Sequence, residues 1–227
     1  MMSIFNYLLK ININLKKGIK MLDNFRYRNK MALFNKIYST IDGFGTSKKT
    51  RQNLNLLSDK SLVYGEVDFM SFKEIIDLAN PKKNDVFFDL GSGSGKAVII
   101  AAMCFDFSAC IGIELLEPLH QLSAEALKVF HENSNGDIKN IPEIKFYHQN
   151  LIHTDLSSAD LIFINATCFP VDFWNTLIKA FDQLEKGVKI IINTKKIDSH
   201  FFKEIYSGSH LMSWGMNSVR IYEKINK

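Results

Sequence analysis

Asp85-Val86-Phe87-Phe88-Asp89-Leu90-Gly91-Ser92-Gly93-Ser94-Gly95-Lys96 is the stretch that decides how the rest of the chain is read. Its first six residues are β-branched, aromatic and apolar without alternation, the pattern of a strand buried on both faces. The three glycines that follow permit a tight turn and leave room for a ligand to approach the backbone. Ala97 to Phe105 then reads as a strongly apolar helix. This order puts backbone N–H groups at a helix N-terminus, where an anionic group is favoured.

Working outward, the same alternation continues. Ala109 to Glu114 is a second buried strand, and Glu117 to Asn133 a helix with Pro118 in its first turn and Leu119, Leu122, Ala126, Val129 and Phe130 as its stripe. Ile144 to His148, Ala159 to Asn165 and Val188 to Asn193 are the third, fourth and fifth strands, with a helix over Phe173 to Leu184 that stops near Gly187. Upstream, Phe69 to Leu78 has helical spacing and ends at Asn80-Pro81. Further upstream a helix spans Tyr27 to Tyr38, Gly43 to Ser47 breaks it, and Lys48 to Ser61 reads as a polar linker or docked loop. Downstream, His200 to Tyr206 reads as a short helix, and Leu211 to Trp214 and Val219 to Glu223 as closing strands joined by Gly215-Met216-Asn217. That last connection is too short for a crossover, so the final pair must be antiparallel. The fold class is α/β: a doubly wound, mostly parallel, seven-stranded, Rossmann-like sheet closed by an antiparallel hairpin.

With 227 residues, 46% hydrophobic and 12% aromatic, the chain suffices for one such domain plus an extension, and disorder throughout is excluded. The division falls at a basic N-terminal extension, 1–60, and a domain over 61–227. Residues 1–60 carry twelve Lys and Arg against three Asp, a net of +9; the remainder carries sixteen against twenty-one Asp and Glu, a net of −5. A basic arm on an acidic domain suggests two surfaces with different partners, nucleic acid or a nucleosome for the arm and Lys-rich segments for the domain. A plain Lys-rich, solubilising extension is the other reading. Cys104, Cys110 and Cys168 show neither a pairing pattern nor metal-ligand spacing, which implies a reducing compartment such as cytoplasm or nucleus. His148 and His153 lack the companions of a zinc site. No apolar run reaches the roughly 18 to 20 residues that span a bilayer. The apolar start, Met1 to Lys10, lacks the flanks of a secretory signal, and Met21 and Met31 are alternative starts.

The glycine loop is followed by an acid, Glu114, at the end of the second strand, where a carboxylate can accept both ribose hydroxyls of a nucleoside cofactor. A dinucleotide loop reads G-x-G-x-x-G; here Gly91, Gly93 and Gly95 follow Asp89 as G-x-G-x-G, which favours S-adenosylmethionine (SAM). Asp89 would hold the cofactor's amino group, and Asn150 and Leu151, after the third strand, would meet the adenine. The fourth strand ends Asn165-Ala166-Thr167-Cys168, which lacks both prolines of the N-P-P-Y segment of base-methylating enzymes.

Four segments give the chain a specific resemblance over roughly residues 60 to 225. Val63-Tyr64-Gly65-Glu66-Val67 resembles a Y-G-E-T segment, Phe88 to Gly95 a D-L-G-S-G-x-G loop, Ile162 to Phe169 a V-N-N-F-A-F segment, and Ser213-Trp214 with Val219-Arg220-Ile221-Tyr222 a closing S-W…V-S-Y-Y hairpin. Together these resemble the DOT1-like, non-SET protein-lysine methyltransferases of the class I SAM-dependent superfamily. The resemblance implies methyl transfer from SAM, leaving S-adenosylhomocysteine (SAH), to an exposed lysine of a histone or another basic protein. It further implies that Tyr64, Gly65 and Glu66 close over the methionine end of the cofactor; Ser92 and Lys96 of the glycine loop are cofactor-binding candidates as well. Asn165, Phe169 and Trp214 would line a narrow lysine channel. The chain departs from the pattern at Val67, Ala166, Thr167, Asn150 and Ile221, changes that bear on substrate more than on cofactor. Two other readings stay open: a class I enzyme acting on RNA or a small molecule, and a SAM-binding module without catalysis. The richness in Asn, Ile, Lys and Phe matches an AT-rich genome and allows a secreted bacterial effector acting inside a host cell.

Overall fold

The computed structural model describes residues 27–59, 62–134, 138 and 140–226. Residues 1–26, the first part of the basic arm, and the expected boundary at residues 60 and 61 lie outside the described residues.

Seven strands form one sheet: β1 (Val86–Leu90), β2 (Ala109–Glu114), β3 (Glu143–His148), β4 (Leu161–Asn165), β5 (Lys189–Asn193), β6 (Phe202–Met212) and β7 (Gly215–Lys224), in the order β3-β2-β1-β4-β5-β7-β6. The first five pair in parallel; β7 runs antiparallel to β5, and β6 to β7. The helices are α1 (Arg28–Ile37), α2 (Gly43–Asn53), α3 (Phe69–Ala79), α4 (Lys96–Cys104), α5 (Glu117–Asn133) and α6 (Val171–Phe181).

Each element forms where local chemistry permits. Asp68 caps α3 by accepting from Ser71 N at 2.9 Å, and Asn80 ends it in a left-handed conformation, φ +48°. Helix α4 is apolar all round because it is covered all round: Ala97 to Met103 are all buried. Helix α6 instead buries a stripe, Trp174, Leu177 and Phe181. Two apolar clusters flank the sheet. One packs α1, α3, α4 and α5 onto Phe87, Cys110, Phe163 and Ile191; the other packs α6 onto Phe88, Leu90, Ile162 and Ile190. Phe72, fully buried, has its ring centroid 6.4 Å from that of Phe87 and 4.7 Å from that of Phe163. Truncating it to alanine would cost roughly 3–5 kcal/mol.

Three local expectations are corrected. Gly43 to Ser47 does not break a helix and Lys48 to Ser61 is not all linker: Gly43–Asn53 is helical, capped by Asp42 accepting from Gly45 N at 2.8 Å. Its small residues Gly43, Ser47 and Thr50 are buried, which explains the polar composition. His200 to Tyr206 is not a helix, because β6 begins at Phe202. The closing turn sits at Ser213-Trp214, between Met212 and Gly215, so Gly215-Met216-Asn217 belongs to β7. Helices α1 and α2 pack onto α5, so residues 27–53 are docked on the sheet's helical layer.

Strand order reverses between β1 and β4. In open sheets of this kind the crevice at that switch, beyond the carboxyl ends of the strands, is where ligands bind.

Candidate active site

A cavity of about 390 Å³ occupies that crevice. Of the residues expected at the cofactor and acceptor sites, it brings together Tyr64, Gly65, Glu66, Asp89, Gly91, Ser92, Lys96, Glu114, Asn150, Leu151, Asn165 and Phe169. Gly93, Gly95 and Trp214 are not among its lining residues.

Each of those three sits directly behind the lining. Gly93 N donates to Glu114 Oε2 at 2.8 Å, and a Cβ at Gly93 would overlap the Tyr64 ring. Gly95 caps α4 and packs on Phe146. Trp214 is 39% exposed and lies on Gly65, where a Cβ would stand 2.5 Å from its ring. The Gly65 segment is stapled to the hairpin turn: Glu66 N donates to Ser213 Oγ and Ser213 N donates to Glu66 O, both at 3.2 Å. Two of the four segments that carried the resemblance thus meet, 147 residues apart in sequence.

The electrostatics have two centres. At the β1 and β2 ends, Glu114 accepts from Gly93 N and from Leu116 N, each at 2.8 Å, so its carboxylate fixes the glycine loop. Burial raises the pKa of Glu114, against the backbone N–H groups of Leu116, Gly93 and Leu115 and the charge of His148, which lower it. Asp89 is raised well above the carboxylate range, by burial first and then by the charge of Glu114. At the α4 end, Lys96 Nζ pairs with Glu66 Oε2 at 2.5 Å and lies 5.0 Å from the centre of the Tyr38 ring. Tyr64 OH donates to Glu66 Oε1 at 3.0 Å and shares a 2.8 Å bond with Ser94 Oγ. Burial, then the charge of Glu66, pushes the Tyr64 hydroxyl up.

The donor set suits a nucleoside sulfonium cofactor. A Cβ at Gly91 would meet nothing within 4 Å, and Ser92 Oγ is buried without a partner among the described residues. Asp89 and Glu114 supply carboxylates, and Lys96 with Glu66 supplies opposite charges suited to an amino acid's carboxylate and ammonium. Asn150 Oδ1 accepts from Ile152 N at 3.0 Å and so also caps the short helical turn Leu151–His153.

Beyond Asp89 the cavity reaches Asn165, Phe169 and Phe173. Thr167 Oγ1 donates to Asn165 Oδ1 at 2.8 Å. Phe169 and Phe173 stand edge to face, centroids 5.0 Å apart. Phe173, Leu115, Leu116, Leu119 and Phe163 line the cavity and escaped the sequence reading. The spacing of Phe169 and Phe173, four residues apart across the start of α6, was the available signal for the first. Phe163, two residues before Asn165 on one strand, shares its face. Among the described residues no cluster of His, Cys, Asp or Glu could hold a metal ion, and no helix is long and apolar enough to cross a membrane.

A parallel sheet closed by an antiparallel hairpin, with a glycine loop after β1 and an acid ending β2, is the class I methyltransferase fold. An RNA methyltransferase from Salinibacter ruber, solved with S-adenosyl-L-homocysteine, is similar at TM-score 0.53 and 22% identity, covering 69% of this chain and 91% of that one. TrmN from Thermus thermophilus is similar at TM-score 0.52 and 16% identity, over 73% and 52%. At such identities the likeness is one of fold. The family profile described as "Histone methylation protein DOT1" matches residues 48–219, and the chain belongs to that family. Proteins named "Histone-lysine N-methyltransferase, H3 lysine-79 specific" are similar in Drosophila melanogaster, 26% identical over 57% of this chain and 7% of that protein, and in Yarrowia lipolytica, 25% over 70% and 32%. The chain therefore spans less than a third of the length of these relatives.

Proposed function

We propose that this chain transfers a methyl group from SAM to a lysine side chain of a protein, in the manner its DOT1 family membership suggests. The observation that carries the reading is one continuous cavity running from the carboxylates of Asp89 and Glu114 to Asn165, Phe169 and Phe173. SAM supplies an activated methyl group on a sulfonium. The chain's own task is then alignment and electrostatics. Glu114 would hold the ribose and Asp89 the cofactor's amino group, with Leu151 packed at the adenine. Lys96 and Glu66 would grip the methionine carboxylate and ammonium, and Tyr64 would lock Glu66 in place.

A free lysine amine has a pKa of about 10.4 and attacks only when neutral. Desolvation against Phe169 and Phe173 favours the neutral form, and aromatic faces favour a methylammonium product. Asn165 Oδ1 would accept an amine N–H and aim the lone pair along the displacement line. No strong general base is required.

The substrate class for the first test is a histone, the target for which the relatives are named, which would place the protein in the nucleus. The basic segment of residues 1–60 would supply contact with nucleosomal DNA through phosphate neutralisation. The experiment is transfer of labelled methyl from SAM to nucleosomes, free core histones and a whole-cell lysate, with Gly93→Arg as the cofactor-loop control. Label on histones that disappears with Gly93→Arg is the expected result. Label on another lysate protein keeps lysine methylation and removes the chromatin target. Label released by RNase, or SAM binding without any transfer, overturns the reading.

A further inference from the structure

Asn193 ends β5 directly beside Asn165, with which it is in register. In-register residues of adjacent strands point to the same sheet face, so Asn193 stands on the face of Asn165, one strand further from β1. It is completely buried, and neither Oδ1 nor Nδ2 has a hydrogen-bond partner among the described residues. Its neighbours on that face are apolar and equally buried: Ile191 two residues earlier, and Val219 in register on β7. A carboxamide left unpaired in such a place is destabilising, and leucine shares its branched heavy-atom skeleton at a larger volume.

The next residue adds strain. Thr194 has φ +70°, a left-handed conformation that a β-branched side chain rarely adopts. It is held there from several sides. Arg220 Nη1 donates to Thr194 O at 3.2 Å, and Thr194 Oγ1 stands 2.8 Å from Asn217 Oδ1 and 3.0 Å from Thr167 Oγ1, donating to one of them. Thr167 in turn donates to Asn165 Oδ1 at 2.8 Å. An orphaned amide and a strained residue thus adjoin at the same strand ends, and Thr167 connects the strained residue to the amide that faces the acceptor site. Strain of this sort persists where function requires the geometry.

We propose that Asn193 is a positioning residue for Asn165, engaged when the substrate is bound. In the arrangement described, the Asn165 carboxamide is tied to Thr167. With an amine in the channel, Asn165 Oδ1 accepts the amine N–H, and Asn165 Nδ2 donates to Asn193 Oδ1, which fixes the Asn165 amide in its productive orientation. Asn193 touches neither cofactor nor substrate and acts through Asn165. This rests on the lysine-methylation reading above.

Asn193→Leu separates the two possible roles, because a merely structural amide can be replaced by it without loss of kcat. Steady-state transfer to histones, SAH affinity and thermal unfolding are measured for the parent chain, Asn193→Leu, Asn165→Ala and the double variant. The expected result is unchanged SAH affinity, a retained cooperative unfolding transition, and kcat lowered roughly tenfold, the loss of one orienting interaction worth about 1.4 kcal/mol. In the Asn165→Ala background, Asn193→Leu should have no further effect. Full activity of Asn193→Leu, or losses that multiply in the double variant, overturns the inference and leaves the proposed function standing. A parent chain that methylates no protein overturns both. If Asn193→Leu does not fold, Asn193→Ala, which removes the acceptor without adding bulk, is judged on kcat, SAH affinity and the double variant.

Discussion

Gly93→Ala probes how the cofactor loop is held. Gly93 sits at φ +54°, where an alanine costs roughly 1–2 kcal/mol. Its new Cβ would overlap Tyr64 Cε2, so the tyrosine ring must move. That movement breaks the Tyr64 bonds to Ser94 Oγ and Glu66 Oε1, each worth about 1 kcal/mol net. The sum is about 3 to 4 kcal/mol. At about 2–4 °C per kcal/mol for a domain of this size, the melting temperature should fall by roughly 6–16 °C. In a Tyr64→Ala background the clash and both bonds are already gone, leaving only the backbone cost of about 1–2 kcal/mol. A thermal-unfolding double-mutant cycle should therefore show about 2 kcal/mol of coupling. Equal losses in both backgrounds would refute the claim that Tyr64 is what makes glycine necessary there.

Asp89→Asn tests the buried carboxylate. Burial and Glu114 raise the folded-state pKa of Asp89, so the folded state binds this proton more tightly than the unfolded chain. The resulting stability is present below the unfolded pKa of about 4 and lost as pH rises through the raised folded value. The ligand-free variant should thus melt above the parent at pH 8, with the gain vanishing near pH 4, while SAH binding weakens; a pH-independent gain would contradict this. Phe173→Ala, in calorimetric and kinetic assays, should leave SAH affinity within about twofold and raise KM for the protein acceptor, since the ring packs edge to face on Phe169 of the proposed channel. Weakened SAH binding would assign the ring to the cofactor instead.

Much of this was legible because buried parallel strands and apolar helices write their periods plainly. Val86–Leu90, Ala109–Glu114 and Glu117–Asn133 follow from runs that admit few other readings. Helix α2 was not legible: Gly43 and Gly45 are poor helix formers, and the face it buries is Gly43, Ser47 and Thr50, small residues without an apolar signal. Strand β6 was obscured because it is an edge strand whose pairing shifts between Glu204 and Tyr206. Such a bulge interrupts the two-residue alternation that betrays a strand. Within the site, polar loop residues were found because glycine spacing and strand ends mark them. Leu115, Leu116 and Leu119 were not, since an apolar residue lining a cavity looks like one filling a core.

Tyr38 and Tyr64 bear on the N-terminal helices in one further way. Tyr38, just past α1, donates its hydroxyl to Ser94 O at 3.2 Å; Ser94 is bonded to Tyr64, and Tyr64 fills the space over Gly43 in α2. Helices α1 and α2 are thereby mechanically joined to the loop that would cradle the cofactor. Thermodynamic linkage makes such a joint reciprocal. Whatever factor cofactor binding contributes to the seating of these helices, a macromolecule gripping them returns to cofactor affinity. The basic segment would then serve as a handle on the catalytic centre as well as an anchor.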